Sequence, residues 1–425
     1  SFEIEKLKLK KTKLNEIAIL VRASFQTRLF EDRLLKIRIP YRVIGAFRFY
    51  ERLEIRDAIS YFRIVYKNYD DLAFERIFNT PKRGLGTATL QKIYKFARDA
   101  NMTLLDSSKK IIETDELALN ARNTIKKFIE DINRWKAKIN KVNHIELAKI
   151  ILEESGYTKM WLNDKSIEAP GRLENLKELI SALKDFSNMN EFLEIPKTAM
   201  VVFAHPDDAE IGTGATVAKW VSHGTEVVYV LGTTGSSGSN DVEMTSKKIV
   251  GIRSNEQIEA AKVIGVKEIV SLNYIDGELE SNRSLLSDLV YNIRKFRPEI
   301  IFTHDPFRMK NFLHRDHRNL GFSVMDAIYP YARDHLHFPE QIDKNIQPYK
   351  VKKLLFWGSD EPNICVNVTS FEQKKVESLS KHESQLPGLS LGSEYGKNII
   401  KRLQESAKSM SFEYGESFRM IEARS

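Results

Sequence analysis

Pro196 separates two stretches of chain whose apolar residues repeat with different periods, and this break limits the possible folds more than any single motif. Before it, from Leu14 to about Phe192, apolar residues recur every three or four positions. LQKIYKFARDA (90–100), ARNTIKKFIEDINRWKAKI (121–139) and RLENLKELISALKDF (172–186) show the pattern, which is that of an amphipathic helix. In this stretch only NEIAILVRA (15–23) and YRVIGAF (41–47) read as strands. After Pro196 short apolar runs alternate with helical segments: TAMVVFA, GTGATVAKWVSHG, TEVVYVLGT, a helix from Glu243 to Ile264, KEIVSLN, a helix from Leu285 to Phe296, PEIIFTH and VKKLLFWG. Such alternation predicts a doubly wound, mostly parallel sheet with helices on both faces. The expected layout is two domains, mainly α-helical over 1–192 and α/β over 197–425.

The 425 residues, 42% of them hydrophobic, suffice for more than one core. No apolar run reaches the roughly 18 residues that cross a bilayer, and SFEIEKLKLKK has no signal-peptide centre. A cytoplasmic protein without a membrane span is expected. The chain begins with Ser1 rather than Met and reads as a piece of something longer. Cys365 is the single cysteine, so any metal must be held by His, Asp or Glu. The net charge of +8 is uneven: 37 Lys and Arg face 28 Asp and Glu up to residue 194, against 29 and 30 beyond it. An acidic partner such as nucleic acid suits the first part, as does a plain solvated basic face.

FAHPDDAEIG (203–212) crowds His205, Asp207, Asp208 and Glu210 directly behind an apolar strand, at the sheet edge where doubly wound domains collect ligands. A second polar group, HRDHR (314–318), follows the strand PEIIFTH. His314 and His317 are three apart and share a helical face. Two His/Asp clusters behind separate strands can converge as a facial ligand set, and catalytic zinc takes three such ligands and leaves a place for water. An aspartate behind a strand is also a common helix cap. His223 at a helix end needs no function. His335 and His337 are expected as surface or core residues, His304 as lining of the site, and the glycine-rich GTTGSSGSND (232–241) as a mobile rim.

AHPDDAE and HRDH, with Arg253 and Glu256 in GIRSNEQIEAAKVIGV, YIDGEL (274–279) and KHESQL (381–386), resemble the LmbE and PIG-L family of zinc-dependent N-acetylglucosaminyl deacetylases. The resemblance covers 197–425, a whole Rossmann-like α/β domain. It implies that His205, Asp208 and His317 bind one divalent ion, zinc, with iron(II) also tolerated by such ligands. It makes Asp207 the general base and His314 a cationic or hydrogen-bond-donating partner of the oxyanion and the departing amine. Glu210 would orient a ligating imidazole, Arg253 would bind substrate, and Asp276 would hold sugar hydroxyls. Some family members carry a tyrosine two residues before the first histidine of HRDH. Phe312 stands there in this chain.

The segments 17–65 and 70–93, extending through ESGYTKMW to about Phe186, resemble the 2A/2B region of UvrD, PcrA and Rep superfamily 1 DNA helicases. That resemblance makes PKRGLG a turn whose Lys82, Arg83, Gly84, Gly86 and Thr87 hold duplex DNA phosphates, weakly and without reading sequence. No G-x-x-x-x-G-K-[ST] loop occurs in the 425 residues, so ATP is not an expected cofactor. A helicase piece joined to a deacetylase-like domain reads as a chimeric reading frame. Two functions follow as expectations: removal of acetyl from an N-acetylated sugar or conjugate, or DNA binding by a helicase-derived domain.

Overall fold

The structure, a computed structural model, describes Lys6, Ile17, Ile19 and residues 49–423 other than 68, 69, 311, 312, 344 and 411. The strands expected at 15–23 and 41–47 lie outside the described residues, Ile17 and Ile19 apart, as does Phe312. By contacts the chain forms two compact units, Ser1–Leu193 and Glu194–Ser425.

The described part of the first unit is helical: α1 (Leu53–Tyr66), α2 (Asp71–Ile77), α3 (Thr87–Ala100), α4 (Leu104–Ile111), α5 (Leu119–Lys136), α6 (His144–Glu154), α7 (Tyr157–Asn163), α8 (Ala169–Ala182) and α9 (Met189–Leu193). Short polar side chains start several of them by accepting a backbone N–H that the first turn leaves unpaired. Asp70 does so for Ala73, Thr103 for Asp106 and Asn143 for Ile145. The core gathers on α1, where Ile55, Ala58, Tyr61 and Phe62 are fully buried. The Tyr61 ring meets Trp135 of α5 and Tyr157 of α7 with centroids 6.2 and 6.0 Å away. Asp57, one of the polar groups this core houses, is paired with Arg76 at 2.6 Å and accepts the Tyr157 hydroxyl at 2.9 Å, as burial requires.

The second unit is built on a mixed seven-stranded sheet in the order β3-β2-β1-β4-β5-β7-β6. The strands are β1 (Thr198–Phe203), β2 (Glu226–Thr233), β3 (Glu268–Tyr274), β4 (Ile300–His304), β5 (Lys353–Trp357), β6 (Ile364–Asn367) and β7 (Gly415–Glu422). The five strands from β3 to β5 pair in parallel. β7 runs antiparallel to both β5 and β6, an edge that the alternating pattern did not announce. Six helices accompany the sheet: α10 (Asp208–Ser222), α11 (Ser246–Ile264), α12 (Arg283–Phe296), α13 (Arg315–Asp326), α14 (Glu372–Leu379) and α15 (Glu394–Ser406).

Both faces of the sheet are covered, and β1 shows how its sequence does this. Successive side chains of a strand point to opposite faces. Ala199, Val201 and Phe203 pack with Val217 and Trp220 of α10 and Ile264 of α11, while Met200 and Val202 pack with Leu289 and Ile293 of α12 and Leu320 of α13. Full burial stabilises by about 1.5–3 kcal/mol for each such large side chain. From β1 the chain moves outward one way to β2 and β3 and the other way to β4 and β5. The carboxyl ends of β1 and β4 therefore flank the crevice where the strand order reverses. Among the described residues, no helix is long and apolar enough to cross a membrane.

Candidate metal centre

The segment after β1 places His205, and the first residue of α10 places Asp208, on one side of this crevice, and α13 places His317 on the other. Nδ1 of His205 lies 3.1 Å from Nε2 of His317 and 3.3 Å from Oδ2 of Asp208, and the His317 to Asp208 distance is 3.2 Å. These three atoms form an almost equilateral triangle. Bonds of 2.0–2.2 Å in a tetrahedral zinc site put neighbouring ligand atoms about 3.3 Å apart, so the donor set fits a divalent ion. Three groups of His and Asp side chains that could hold a metal overlap on these residues: His205, His314 and His317; Asp208, His304 and His317; His205, Asp276 and Asp316.

The charge balance favours a cation at the same point. Burial lowers the basicity of the His205 ring, yet the carboxylates of Asp208, Asp276 and Asp316 around it raise its pKa to about 11. Burial also opposes ionisation of Asp208, but His317 and His304 hold it well below the ordinary carboxylate range. Asp208 is fixed further by the His205 N–H, which donates to its Oδ2 at 2.8 Å.

Asp207 has φ 105° and ψ −30° at the N-cap of α10, and its side chain accepts no capping hydrogen bond. The carboxylate is thus not spent on the helix, as a cap would be. Burial and the neighbouring Asp208 raise its pKa to about 7, against the pull of Arg253, His382 and His205. A carboxyl group so tuned can exchange a proton near neutral pH.

Several residues are placed otherwise than the sequence suggested. Glu210 touches no ligating imidazole; it is fully buried and accepts Nε2 of Gln257 at 3.0 Å, with His382 Nε2 at 3.3 Å. The carboxylates beside the ligand are Asp316 and Asp276, with oxygens 3.2 and 3.1 Å from His205 Nε2. Their positions leave Nδ1 turned toward Asp208 and His317, as in a common carboxylate–histidine–metal arrangement. Asp276 also accepts the Ser237 N–H at 3.1 Å, so its oxygens are committed within the protein rather than to a sugar. Asp316, unnoticed in the sequence although it stands inside HRDH, accepts the Gly277 and Leu279 N–H groups at 2.7 and 3.2 Å.

Arg253 is 4% exposed, and its guanidinium donates to the Pro206 and Gly235 carbonyls at 2.7 and 3.2 Å, with Asp207 at 3.5 Å. It joins the loop after β1 to the loop after β2 rather than reaching out to a substrate. A Cβ on Gly235 or Gly238 would collide with the guanidinium. The glycines of the expected mobile rim therefore let that loop close on Arg253. His314 caps α13 by accepting the Asp316 N–H through Nδ1 at 3.2 Å, and burial with His205 and His317 nearby lowers its pKa. With Nδ1 accepting, Nε2 is the nitrogen left to donate. His304 is stacked on His317 with centroids 3.9 Å apart at 14°, and its Nε2 accepts the Ala204 N–H at 3.2 Å. It lines the site and braces His317. Against Asp208, His304 and His317 opens a cavity of about 400 Å³ that runs past Trp357, Leu386 and Arg402. His335 is exposed, and His223 sits buried at the C-cap of α10.

In the first unit, PKRGLG forms the turn before α3. Arg83 is not available to a phosphate: its guanidinium bonds the Ile77, Phe78 and Pro81 carbonyls and the Tyr61 hydroxyl, and lies 4.4 Å from the centroid of the Phe128 ring. Asn79 takes the Arg83 and Leu85 N–H groups at 2.7 and 3.3 Å. Lys82, Gly84, Gly86 and Thr87 are exposed, and nothing lies within 4 Å of where a Cβ on either glycine would stand.

Fold and donor set together define an α/β domain with a His/Asp group that could hold a metal ion, in a chain that also carries a helical unit. The GlcNAc-PI de-N-acetylase (PIG-L) family matches residues 200–328, and the UvrD-like helicase C-terminal domain matches residues 1–203. The chain thus carries a PIG-L, LmbE-like domain and a UvrD-like helicase C-terminal domain. Over 194 residues it is 40% identical to a probable DNA helicase II homolog of Rickettsia conorii, covering 45% of this chain and 30% of that protein. Over 179 residues it is 37% identical to DNA helicase II of Escherichia coli, covering 42% of this chain and 25% of the other. The chain therefore spans less than a third of the length of these relatives. Among solved structures, the N,N'-diacetylchitobiose deacetylase of Pyrococcus horikoshii superposes with a TM-score of 0.51 at 28% identity, over 61% of this chain and 94% of that one.

Proposed function

We propose that the second unit is a zinc-dependent deacetylase that hydrolyses the acetamide of an N-acetylglucosamine-type sugar or conjugate, releasing acetate and the free amine. The observation that carries this reading is the triangle of His205 Nδ1, Asp208 Oδ2 and His317 Nε2, with the uncapped carboxyl of Asp207 next to it in the chain. The PIG-L match and the deacetylase from Pyrococcus horikoshii support it. Zinc, or iron(II), in that triangle would polarise the amide carbonyl and lower the pKa of water to about 7. Asp207 takes the proton from the attacking water. His314 donates a hydrogen bond from its Nε2–H to the carbonyl oxygen as charge builds there, and Asp207 passes the proton it has taken to the departing nitrogen. Asp316 and Asp276 keep His205 turned so that Nδ1 faces the ion. Acetate release from N-acetylglucosamine derivatives by zinc-loaded protein tests the reading. Asp207→Asn is expected to lower kcat by about 10²–10⁴-fold with the metal retained. A folded, zinc-loaded protein inert toward a broad panel of such amides contradicts it.

A second reading concerns the first unit, favoured by the exposed Lys82, Gly84, Gly86 and Thr87 at the start of α3 and by helicase relatives. It is weak, sequence-independent binding of duplex phosphates.

A further inference from the structure

Asp207 holds a backbone conformation that an L-residue rarely adopts, with φ at 105°. Such a residue costs on the order of 1–3 kcal/mol and persists only when its surroundings over-determine it. Its N–H donates to Oε1 of Gln257 on α11 at 3.1 Å, and Nε2 of the same side chain donates to Glu210 at 3.0 Å. The other oxygen of Glu210 lies 3.3 Å from Nε2 of His382. Gln257 is 1% exposed, and Glu210 and His382 are fully buried.

The direction of this chain is fixed at Gln257. The Asp207 N–H can only donate, so Gln257 must turn its carbonyl to Asp207 and its amide NH₂ to Glu210. The reverse orientation would set two donors against each other at Asp207 and two acceptors against each other at Glu210. Nothing in the chain touches the metal triangle; it ends on the peptide of the residue between the ligands His205 and Asp208. His382 also explains why KHESQL stood out in the sequence. Ser384, two residues on, donates both its N–H and its hydroxyl to Glu256 of α11, at 2.7 and 2.6 Å, anchoring the segment beside the helix that carries Gln257.

We propose that Gln257, Glu210 and His382 are positioning residues that clamp the strained peptide of Asp207, keeping its carboxyl group turned toward the attacking water instead of relaxing into a helix cap. The proposal rests on the reading of Asp207 as the proton acceptor. It is tested with Gln257→Met, which keeps the volume and removes both hydrogen bonds, and with the pair His382→Leu and His382→Gln. For each, zinc content, melting temperature, kcat and KM on an N-acetylglucosamine derivative, and a crystal structure are measured.

The expected result is a fall in kcat of about tenfold to a hundredfold for Gln257→Met, in line with a misplacement of about 1 Å, with KM and zinc content unchanged and Asp207 at negative φ. His382→Gln, whose amide can still donate to Glu210, is expected to recover most of the activity that His382→Leu loses. Wild-type kcat in Gln257→Met, equal activity in the two His382 variants, or losses that only track lost zinc overturn the proposal. If the wild-type protein itself proves inert, it is the deacetylase reading that fails. The crystal structures then decide this inference: Asp207 relaxed in Gln257→Met supports the clamp, and Asp207 unchanged overturns it. Should Gln257→Met not fold, the His382 pair carries the same test.

Discussion

His205 draws its role from what surrounds it. Two carboxylates stand at its Nε2 and one at its Nδ1, so the ring has a fixed direction and a negative environment before any ion arrives. Asp316 is the member of that set most firmly built in, with no exposed side-chain surface and two backbone N–H groups donating to it. Asp316→Asn is therefore expected to weaken zinc binding by about 10–100-fold, measured by competition with a chelator; unchanged affinity would show that His205 needs no such partner. Arg83 and Lys82 make a second contrast between adjacent residues. Arg83→Ala strands carbonyls buried around its guanidinium and is expected to cost about 1–3 kcal/mol, read from a denaturation midpoint. Lys82→Ala should stay within about 0.5 kcal/mol. The sequence named both as phosphate contacts, because a one-dimensional pattern cannot tell a guanidinium folded under a turn from one pointing into solvent. For the same reason Arg253 and Asp276 read as groups for a substrate when their bonds go to the protein's own loops.

At the level of elements, period and punctuation carried most of the information. The five parallel strands and the helices between them follow from apolar runs of the right length, and the two His/Asp clusters stand out by following two of those strands, whereas the choice of His205, Asp208 and His317 among their members is what the family resemblance implies. The starts of helices were less legible. α10 begins at Asp208 rather than at Gly212, because its first turn alternates acidic with apolar residues and reads as part of the charged cluster, and α11 begins after a Thr245 cap rather than at Glu243. β7 escaped notice since only part of its surface is buried: GESFRMIE interleaves charged and apolar residues next to the edge strand β6. Its packing is nevertheless integral. Phe302 of β4 is fully buried with its ring 5.1 Å from that of Trp220 on α10 and 5.2 Å from that of Phe418 on β7. Phe302→Ala should destabilise this unit by about 3–5 kcal/mol, and a loss under 1 kcal/mol in chemical denaturation would mean the edge closes over the gap.

In the whole molecule, the excess of positive charge and the candidate metal centre fall in different units. The basic surplus lies entirely before residue 195, on the side of the helicase-like match, while the near-neutral remainder carries the His/Asp group. If the first unit meets duplex phosphates through the start of α3, binding should fall steeply with salt, and Lys82→Glu should reduce the slope of log K against log salt by about 1; an unchanged slope argues against contact there. The central claim is the metal triangle, and the most direct measurement is anomalous X-ray scattering from crystals of the zinc-loaded chain. The account predicts one ion bonded at about 2.0–2.2 Å to Nδ1 of His205, Oδ2 of Asp208 and Nε2 of His317. No ion there under zinc excess, or an ion held by other atoms, would contradict it.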